Sequence, residues 1–235
     1  MSYILIGFIL GFSIPYLARR FSKIMLETPT FAYALYRIIN VPSKVSRKKS
    51  KTNRKYIQLY NKYFMRSLGW AIITAAIFFL LSTSVSPKEA PWLTFFTALL
   101  LILTEIDKRI QYLPDIITSP LLISGFLYAA FAGQVLGNNI EEATQNSALG
   151  AAFGYLIPVV ASLLMIKKHP DNIGGGDIKI LAAIGAWLGL VNIPYVILLA
   201  CLAFAITCFT KKQKMGAFGP SIVFAALIIL ALLIY

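Results

Sequence analysis

The sequence predicts an all-α membrane protein, a bundle of about eight transmembrane helices with the N-terminus outside the cytoplasm. Of the 235 residues, 58% are hydrophobic and 13% are charged, which is about half of the roughly 25% charged residues of a soluble domain. The mean hydropathy is +0.75. So few polar residues cannot cover a soluble surface, which excludes a disordered protein, a nucleic-acid-binding module and an ordinary cytosolic enzyme.

Eight apolar runs are the predicted spans. Several are shorter than the ~20 residues that a straight spanning helix needs, which a locally thinned bilayer tolerates. We expect a turn at Asn192-Ile193-Pro194, between the sixth and seventh runs, because proline disfavours helix in the residue before it. In chain order the predicted spans cover residues 2–18, 67–86, 91–106, 117–136, 147–166, 178–192, 193–210 and 220–235.

Lysine and arginine set the predicted orientation. Arg19, Arg20 and Lys23 follow the first run and no basic side chain precedes it, which indicates a retained helix rather than a signal peptide. With the N-terminus outside, 20 of the 22 basic residues fall on the inside, as the positive-inside rule requires. Those inside segments are 19–66, 107–116, 167–177 and 211–219.

Three regions are therefore predicted: a first transmembrane helix at 1–18, a basic cytoplasmic loop at 19–66 and a membrane-embedded core at 67–235. The dense basic run within 44–55 attracts anionic lipid headgroups, each charge contributing on the order of 1 kcal/mol near the surface. A docking site for the juxtamembrane part of a substrate is the alternative role. Because spans flank the loop on both sides, we expect no nucleic-acid partner.

The chain has only nine carboxylates. Four of them, Glu27, Glu89, Glu141 and Glu142, fall in predicted loops. The other five gather at or near the cytoplasmic ends of the third to sixth spans, where an ionisable group is costly and therefore a functional candidate. These five are Glu105, Asp107, Asp115, Asp171 and Asp177.

Two of these carboxylates are predicted to meet. Asp107 ends the third span, and Asp177 follows three glycines at the start of the sixth span. If those spans pack side by side, the two groups share a proton, so that one serves as acid and the other as base in peptide hydrolysis. An N-cap role is the structural alternative for Asp177 alone. Close packing of the two spans would use the small residues Ala182, Gly185, Ala186 and Gly189.

Three motifs in this order resemble the type IV prepilin peptidases, membrane aspartic proteases of the Gly-x-Gly-Asp class. The resemblance covers about 91–235. The motifs are Ile106-Asp107 through Leu113-Pro114-Asp115, then Gly174-Gly-Gly176-Asp177-Ile-Lys179, and finally Phe218-Gly219-Pro220.

The resemblance implies that Asp107 and Asp177 are the catalytic pair, supported by Asp115, Gly174, Gly176 and Lys179. It implies hydrolysis of the leader peptide of prepilins or pseudopilins at the cytoplasmic face of the bacterial inner membrane, without a cofactor. Many members then methylate the new N-terminus with S-adenosylmethionine.

This chain departs from the longer members, which carry two Cys-x-x-Cys pairs and zinc in the first cytoplasmic loop. Residues 19–66 contain no cysteine, and the single histidine, His169, cannot replace four ligands. We therefore predict no metal site. Since that loop is associated with methylation in the longer members, a methyltransferase activity and its S-adenosylmethionine cofactor stay open.

Two other functions fit parts of the sequence. A presenilin-like protease shares Gly-x-Gly-Asp but has a Tyr-Asp step and a late Pro-Ala-Leu, whereas this chain has Ile106-Asp107 and no Pro-Ala-Leu. A small proton- or cation-coupled transporter would use the same two aspartates, but such proteins often show internal repeats and sites near the midplane.

Overall fold

The computed structural model describes residues 2–27, 53–133, 136–137, 139–165, 174–212 and 216–234. Every predicted span contains a helix, and the described residues contain no strand, which confirms the all-α class. The described helices are α1 (Ser2–Glu27), α2 (Asn53–Ser84), α3 (Ala90–Ile110), α4 (Asp115–Phe131), α5 (Ile140–Met165), α6 (Gly175–Leu188), α7 (Ile193–Lys211) and α8 (Gly219–Ile234).

Five of these helices, α1, α2, α3, α5 and α7, are long and apolar enough to cross a membrane. In α7 the most apolar window has a mean hydropathy of 2.3, yet only 17% of it is buried inside the protein. A helix that is apolar on its outward face is stable in lipid rather than in water. The chain is thus a multi-pass helical membrane protein.

The chain divides into two compact units, Met1–Thr83 and Ser84–Tyr235. In the first unit α1 and α2 pack closely, since a Cβ added at Gly11 would lie 2.6 Å from the backbone oxygen of Trp70. Both helices extend beyond the predicted spans, α1 to Glu27 and α2 back to Asn53. The predicted basic loop is therefore helical at each end, and its residues 28–52 lie outside the described part of the chain.

In the second unit, α5 and α6 approach each other backbone to backbone. A Cβ added at Gly150 of α5 would overlap the carbonyl oxygen of Gly185 in α6, and one added at Gly185 would overlap that of Gly150. The buried hydroxyl of Ser147 donates a hydrogen bond of 2.7 Å to the carbonyl oxygen of Ala186. The pair of glycines thus sets the distance between these two helices.

The small residues of α6 were expected to pack against the third span, and this expectation was wrong. That face packs against α5 and α4 rather than against α3, and a Cβ added at Gly125 of α4 would lie 2.8 Å from the Cβ of Ala186. The third span, α3, packs along α8 and reaches α6 through the stacked rings of Phe96 and Trp187, 4.7 Å apart. Close approach needs small residues on both helices, and α5 supplies them.

The sixth span also ends earlier than predicted. α6 stops at Leu188, and Gly189 follows with φ +80, a left-handed conformation that favours glycine. The side chain of Asn146 accepts a hydrogen bond from the N–H of Leu190, 2.8 Å away, and closes the turn. The break therefore extends from Gly189 to Asn192. The predicted turn before Pro194 is confirmed, since α7 begins at Ile193, but the turn starts earlier than expected.

Glu89 is not the exposed loop residue that its position in the sequence suggested. Its side chain is 4% exposed directly before α3. It accepts hydrogen bonds from the hydroxyl groups of Tyr128, at 2.9 Å, and Ser86, at 3.3 Å. Because a buried carboxylate needs such partners, this contact ties the start of α3 to α4, at the end of α3 far from Asp107.

Candidate active site

Asp107 lies in the last turn of α3 and is only 4% exposed. Its backbone carbonyl accepts the N–H of Gln111, whose φ of 51 ends the helix. Its carboxylate accepts a hydrogen bond from the backbone N–H of Gly219, with Oδ2 and N 2.9 Å apart. The first catalytic candidate is therefore held between the end of α3 and the start of α8.

Asp177 lies in the first turn of α6, and its N–H donates to the carbonyl oxygen of Gly174 at 2.9 Å. Two of the three glycines before it, Gly174 and Gly176, leave little room for a side chain, whereas nothing lies within 4 Å of a Cβ added at Gly175. A Cβ at Gly174 would lie 3.2 Å from Oδ2 of Asp177, and one at Gly176 would lie 2.9 Å from the Cβ of Leu113. Gly176 thus lets the second motif pack directly on the first one.

The two carboxylates interact electrostatically. Asp177 lies before the apolar run 178–192, and α6 is not among the five helices long and apolar enough to cross a membrane, so this carboxyl group lies outside the membrane-spanning segments. Burial and, to a smaller extent, the nearby carboxylate of Asp107 raise the pKa of Asp177 from 3.8 to about 6, although the hydrogen bond from the backbone of Gly174 partly opposes this rise. This environment favours a carboxyl group that keeps its proton up to about pH 6, well above the range of an ordinary aspartate.

The raised pKa of Asp177 predicts a stability difference that depends on pH. In the folded protein this carboxyl group ionises near pH 6 rather than near pH 3.8. The folded state therefore loses stability as the pH rises from 3.8 to about 6, and the loss is complete above that range. Asp177→Asn cannot ionise, so at pH 7.5 its free energy of unfolding should be higher by up to about 3 kcal/mol, and its melting temperature should rise accordingly. At pH 4 the melting temperature of the variant should equal that of the wild type. An equal rise at both pH values would contradict the explanation by the ionisation of Asp177.

Asp115 and Lys179, both predicted as supporting residues, form an ion pair. The Nζ of Lys179 lies 2.7 Å from Oδ1 and 2.8 Å from Oδ2 of Asp115. Asp115 begins α4, and Lys179 lies two residues after Asp177 in α6. The pair therefore joins the two motif segments at the surface, where the side chains are 46% and 50% exposed.

Because both side chains are half exposed, we expect this ion pair to contribute less than about 1 kcal/mol. Lys179→Ala and Asp115→Ala should each lower the melting temperature slightly, and the double variant should cost no more than either single one. The coupling should weaken in high salt. Strictly additive losses in the double-mutant cycle would show that the two side chains do not interact.

Of the two remaining predicted carboxylates, only Glu105 lies in the described part of the chain. Glu105 is completely buried, and its Oε1 pairs with Nη2 of Arg109 at 2.8 Å, one turn later on the same helix. Asp171 and His169 lie outside the described residues. Among the residues that the structure describes, no group of three or more His, Cys, Asp or Glu is placed to hold a metal ion.

Sequence reasoning missed the role of Gly219. The motif Phe218-Gly219-Pro220 was noted only as part of the resemblance, without a contact to either aspartate. The structure brings it to Asp107 through a backbone N–H, a group that every residue except proline carries and that no residue type reveals. The available signal was a glycine and a proline together at the start of the last helix.

Comparison with known proteins supports the same interpretation of these motifs. Residues 94–209 match the model of the type IV leader peptidase family. This segment belongs to that family. The matched range contains the motifs of Asp107 and Asp177, as well as the ion pair between Asp115 and Lys179.

Curated relatives carry the name prepilin leader peptidase/N-methyltransferase. The protein of Neisseria gonorrhoeae is 35% identical over 149 residues, 59% of this chain and 49% of that protein. Those of Aeromonas hydrophila and Vibrio cholerae are 40% and 28% identical, over 54% and 71% of this chain and 43% and 64% of theirs. The chain thus spans about half the length of the curated relatives it matches, and no solved structure matches it significantly.

Proposed function

We propose that this protein is a membrane-embedded aspartic endopeptidase that removes the leader peptide of type IV prepilins or pseudopilins. The observation that carries the proposal is that the motifs of Asp107 and Asp177 pack together through Gly176 and Leu113, within the segment that matches leader peptidases. Asp107 is near enough to contribute to the raised pKa of Asp177. The relatives' names supply the substrate class. The family match also favours this function over a presenilin-like protease and over a transporter.

The proposed reaction is general acid–base hydrolysis of one peptide bond. The ionised carboxylate of the pair takes a proton from water, whose oxygen attacks the scissile carbonyl carbon, while the protonated carboxyl donates to the carbonyl oxygen. The C–N bond then breaks as the carboxyl that took the proton from water gives it to the leaving nitrogen. The other carboxylate takes back a proton from a hydroxyl group of the intermediate, which restores the starting pair. The raised pKa of Asp177 supports a pair in which one carboxyl keeps its proton up to about pH 6, and no step needs a metal or cofactor.

The site is proposed to face the cytoplasm. With the N-terminus outside, the ends of α3 and α6 that carry Asp107 and Asp177 lie on the side that holds most of the basic residues, which is the cytoplasmic side by the positive-inside rule. We propose the bacterial inner membrane as the location, with a helix at 1–18, a basic segment at 19–66 that binds anionic lipid and a peptidase core at 67–235.

Methyl transfer is the second activity in the names of the relatives. S-adenosylmethionine carries a ribose, whose hydroxyl groups are bound by a carboxylate in many sites, and a positively charged sulfur. The cavity of about 180 Å³ beside α4 and α5 is lined by Lys88 and mostly small or apolar residues, with no carboxylate. It lies at the Phe131 end of α4, away from Asp115. This cavity therefore does not fit the cofactor.

The test is co-expression with a type IV prepilin, followed by mass spectrometry of the N-terminus of the product. We expect a single cut that leaves the mature hydrophobic segment intact, and an unprocessed precursor in cells without the enzyme. The same spectrum reports methylation as the added mass of one CH₂ group. A precursor that stays full-length beside well-expressed wild-type protein would refute the proposed peptidase.

A further inference from the structure

We propose that Gly219 is a positioning residue of the peptidase: its backbone N–H, at the start of α8, fixes the carboxylate of Asp107 for proton transfer. The inference rests on the proposed function. It adds a residue that carries no side chain and lies outside the segment 94–209 matched by the family. Three observations support it: the hydrogen bond, the pattern of donors around it and the space that a side chain would need.

Of the N–H groups at the start of α8, that of Gly219 donates to Asp107. The first turn of a helix leaves its N–H groups without partners inside the helix. In α8 the N–H groups of Ser221 and Ile222 donate to the carbonyl oxygen of Phe218 at 2.9 and 3.2 Å, and Pro220 has no N–H. The N–H of Gly219 donates instead to Oδ2 of Asp107 at 2.9 Å.

The carboxylate of Asp107 is oriented by this bond. A backbone donor at the end of a 16-residue helix is held rigidly, and a hydrogen bond to a charged acceptor is among the stronger ones. Oδ2 is thus bound to the backbone, and we assign proton exchange with water and Asp177 to Oδ1. Among charged groups, Asp107 acts on Asp177 of α6, Glu105 and Arg109 pair with each other on α3, and α8 carries no charged residue.

Glycine is required at position 219 for space and not for backbone conformation. A Cβ there would lie 2.7 Å from Oδ2, 3.0 Å from Cγ and 3.2 Å from Cβ of Asp107. Among the glycines that the structure describes, only Gly189 has a positive φ, so alanine at 219 meets no backbone strain. A methyl group at this position would instead push the carboxylate of Asp107 off the N–H.

The test compares Gly219→Ala with Gly216→Ala in the purified, membrane-reconstituted protein, with a prepilin as substrate. Gly216 lies three residues earlier, and a Cβ there meets only the ring of Phe204, at an ordinary 3.7 Å. We expect Gly219→Ala to lower kcat about 10- to 100-fold with KM within about twofold of the wild type. Gly216→Ala should retain the kcat and KM of the wild type.

Three results would overturn the inference: a wild-type kcat for Gly219→Ala, equal losses in both variants, or a raised KM at unchanged kcat. If Gly219→Ala is too unstable to assay, its melting is compared in the Asp107→Ala background, where the clashing carboxylate is gone. Recovery there supports the contact, and instability in both backgrounds overturns it. Wild-type protein that cleaves no prepilin would refute the proposed function itself, a result distinct from all of these.

Discussion

Asp107→Asn and Asp177→Asn are each expected to reduce prepilin cleavage at least about 1000-fold, because the mechanism needs one carboxyl to take a proton and the other to give one. Asparagine keeps the size and shape of aspartate but cannot exchange a proton. In Asp107→Asn, the side-chain amide oxygen would still accept the N–H of Gly219 that now reaches Oδ2 of Asp107. The loss would therefore be chemical, with substrate binding preserved.

The measurement is the fraction of precursor converted when each variant is co-expressed at equal levels. The matched control is Glu141→Gln, an acid-to-amide change on an exposed residue in the first turn of α5, which should process the precursor as the wild type does. Full processing by either aspartate variant would refute a mechanism in which the two carboxyl groups share a proton.

Asp177→Asn separates chemistry from stability. Burial beside Asp107 gives Asp177 a pKa of about 6, so its ionisation at neutral pH costs folding free energy. The same variant that loses cleavage should therefore fold more stably above pH 6. A residue whose role is packing would instead make the protein less stable when it is substituted.

The sequence was sufficient to find the two aspartates, because acidic residues are rare in this chain and each one at a membrane boundary is costly. It was not sufficient to find their surroundings. The ion pair of Asp115 and Lys179 joins residues that are distant in the sequence, and the donor to Asp107 is the backbone of Gly219. Contacts of this kind depend on which helix ends meet.

The approximate positions of the helices in the described part of the chain also followed from the apolar runs, while their ends and partners did not. The basic residues after position 18 did not end α1, which continues to Glu27, because lysine and arginine are good helix formers. The small residues of α6 correctly marked a face for close packing, but such a face does not identify its partner. Glycines on both α5 and α4 meet it.

That glycine contact leads to the second large effect, the loss of stability expected for Gly185→Ala. Its added Cβ would overlap the carbonyl oxygen of Gly150, which is backbone and cannot rotate away, so α5 and α6 must separate. Separation would also break the hydrogen bond from Ser147 to Ala186. We expect a cost of about 3 kcal/mol or more, which lowers the melting temperature by about 10 °C.

Gly69→Ala is the matched control for Gly185→Ala, since it also places alanine inside a helix but nothing lies within 4 Å of the added Cβ. It should leave the melting temperature unchanged or raise it, because alanine favours helix over glycine by up to about 1 kcal/mol. Gly150→Ala, on the opposite side of the contact, should be as damaging as Gly185→Ala. If Gly185→Ala melts like Gly69→Ala, then α5 and α6 do not pack through these glycines, and the position of Asp177 at the start of α6 needs another explanation.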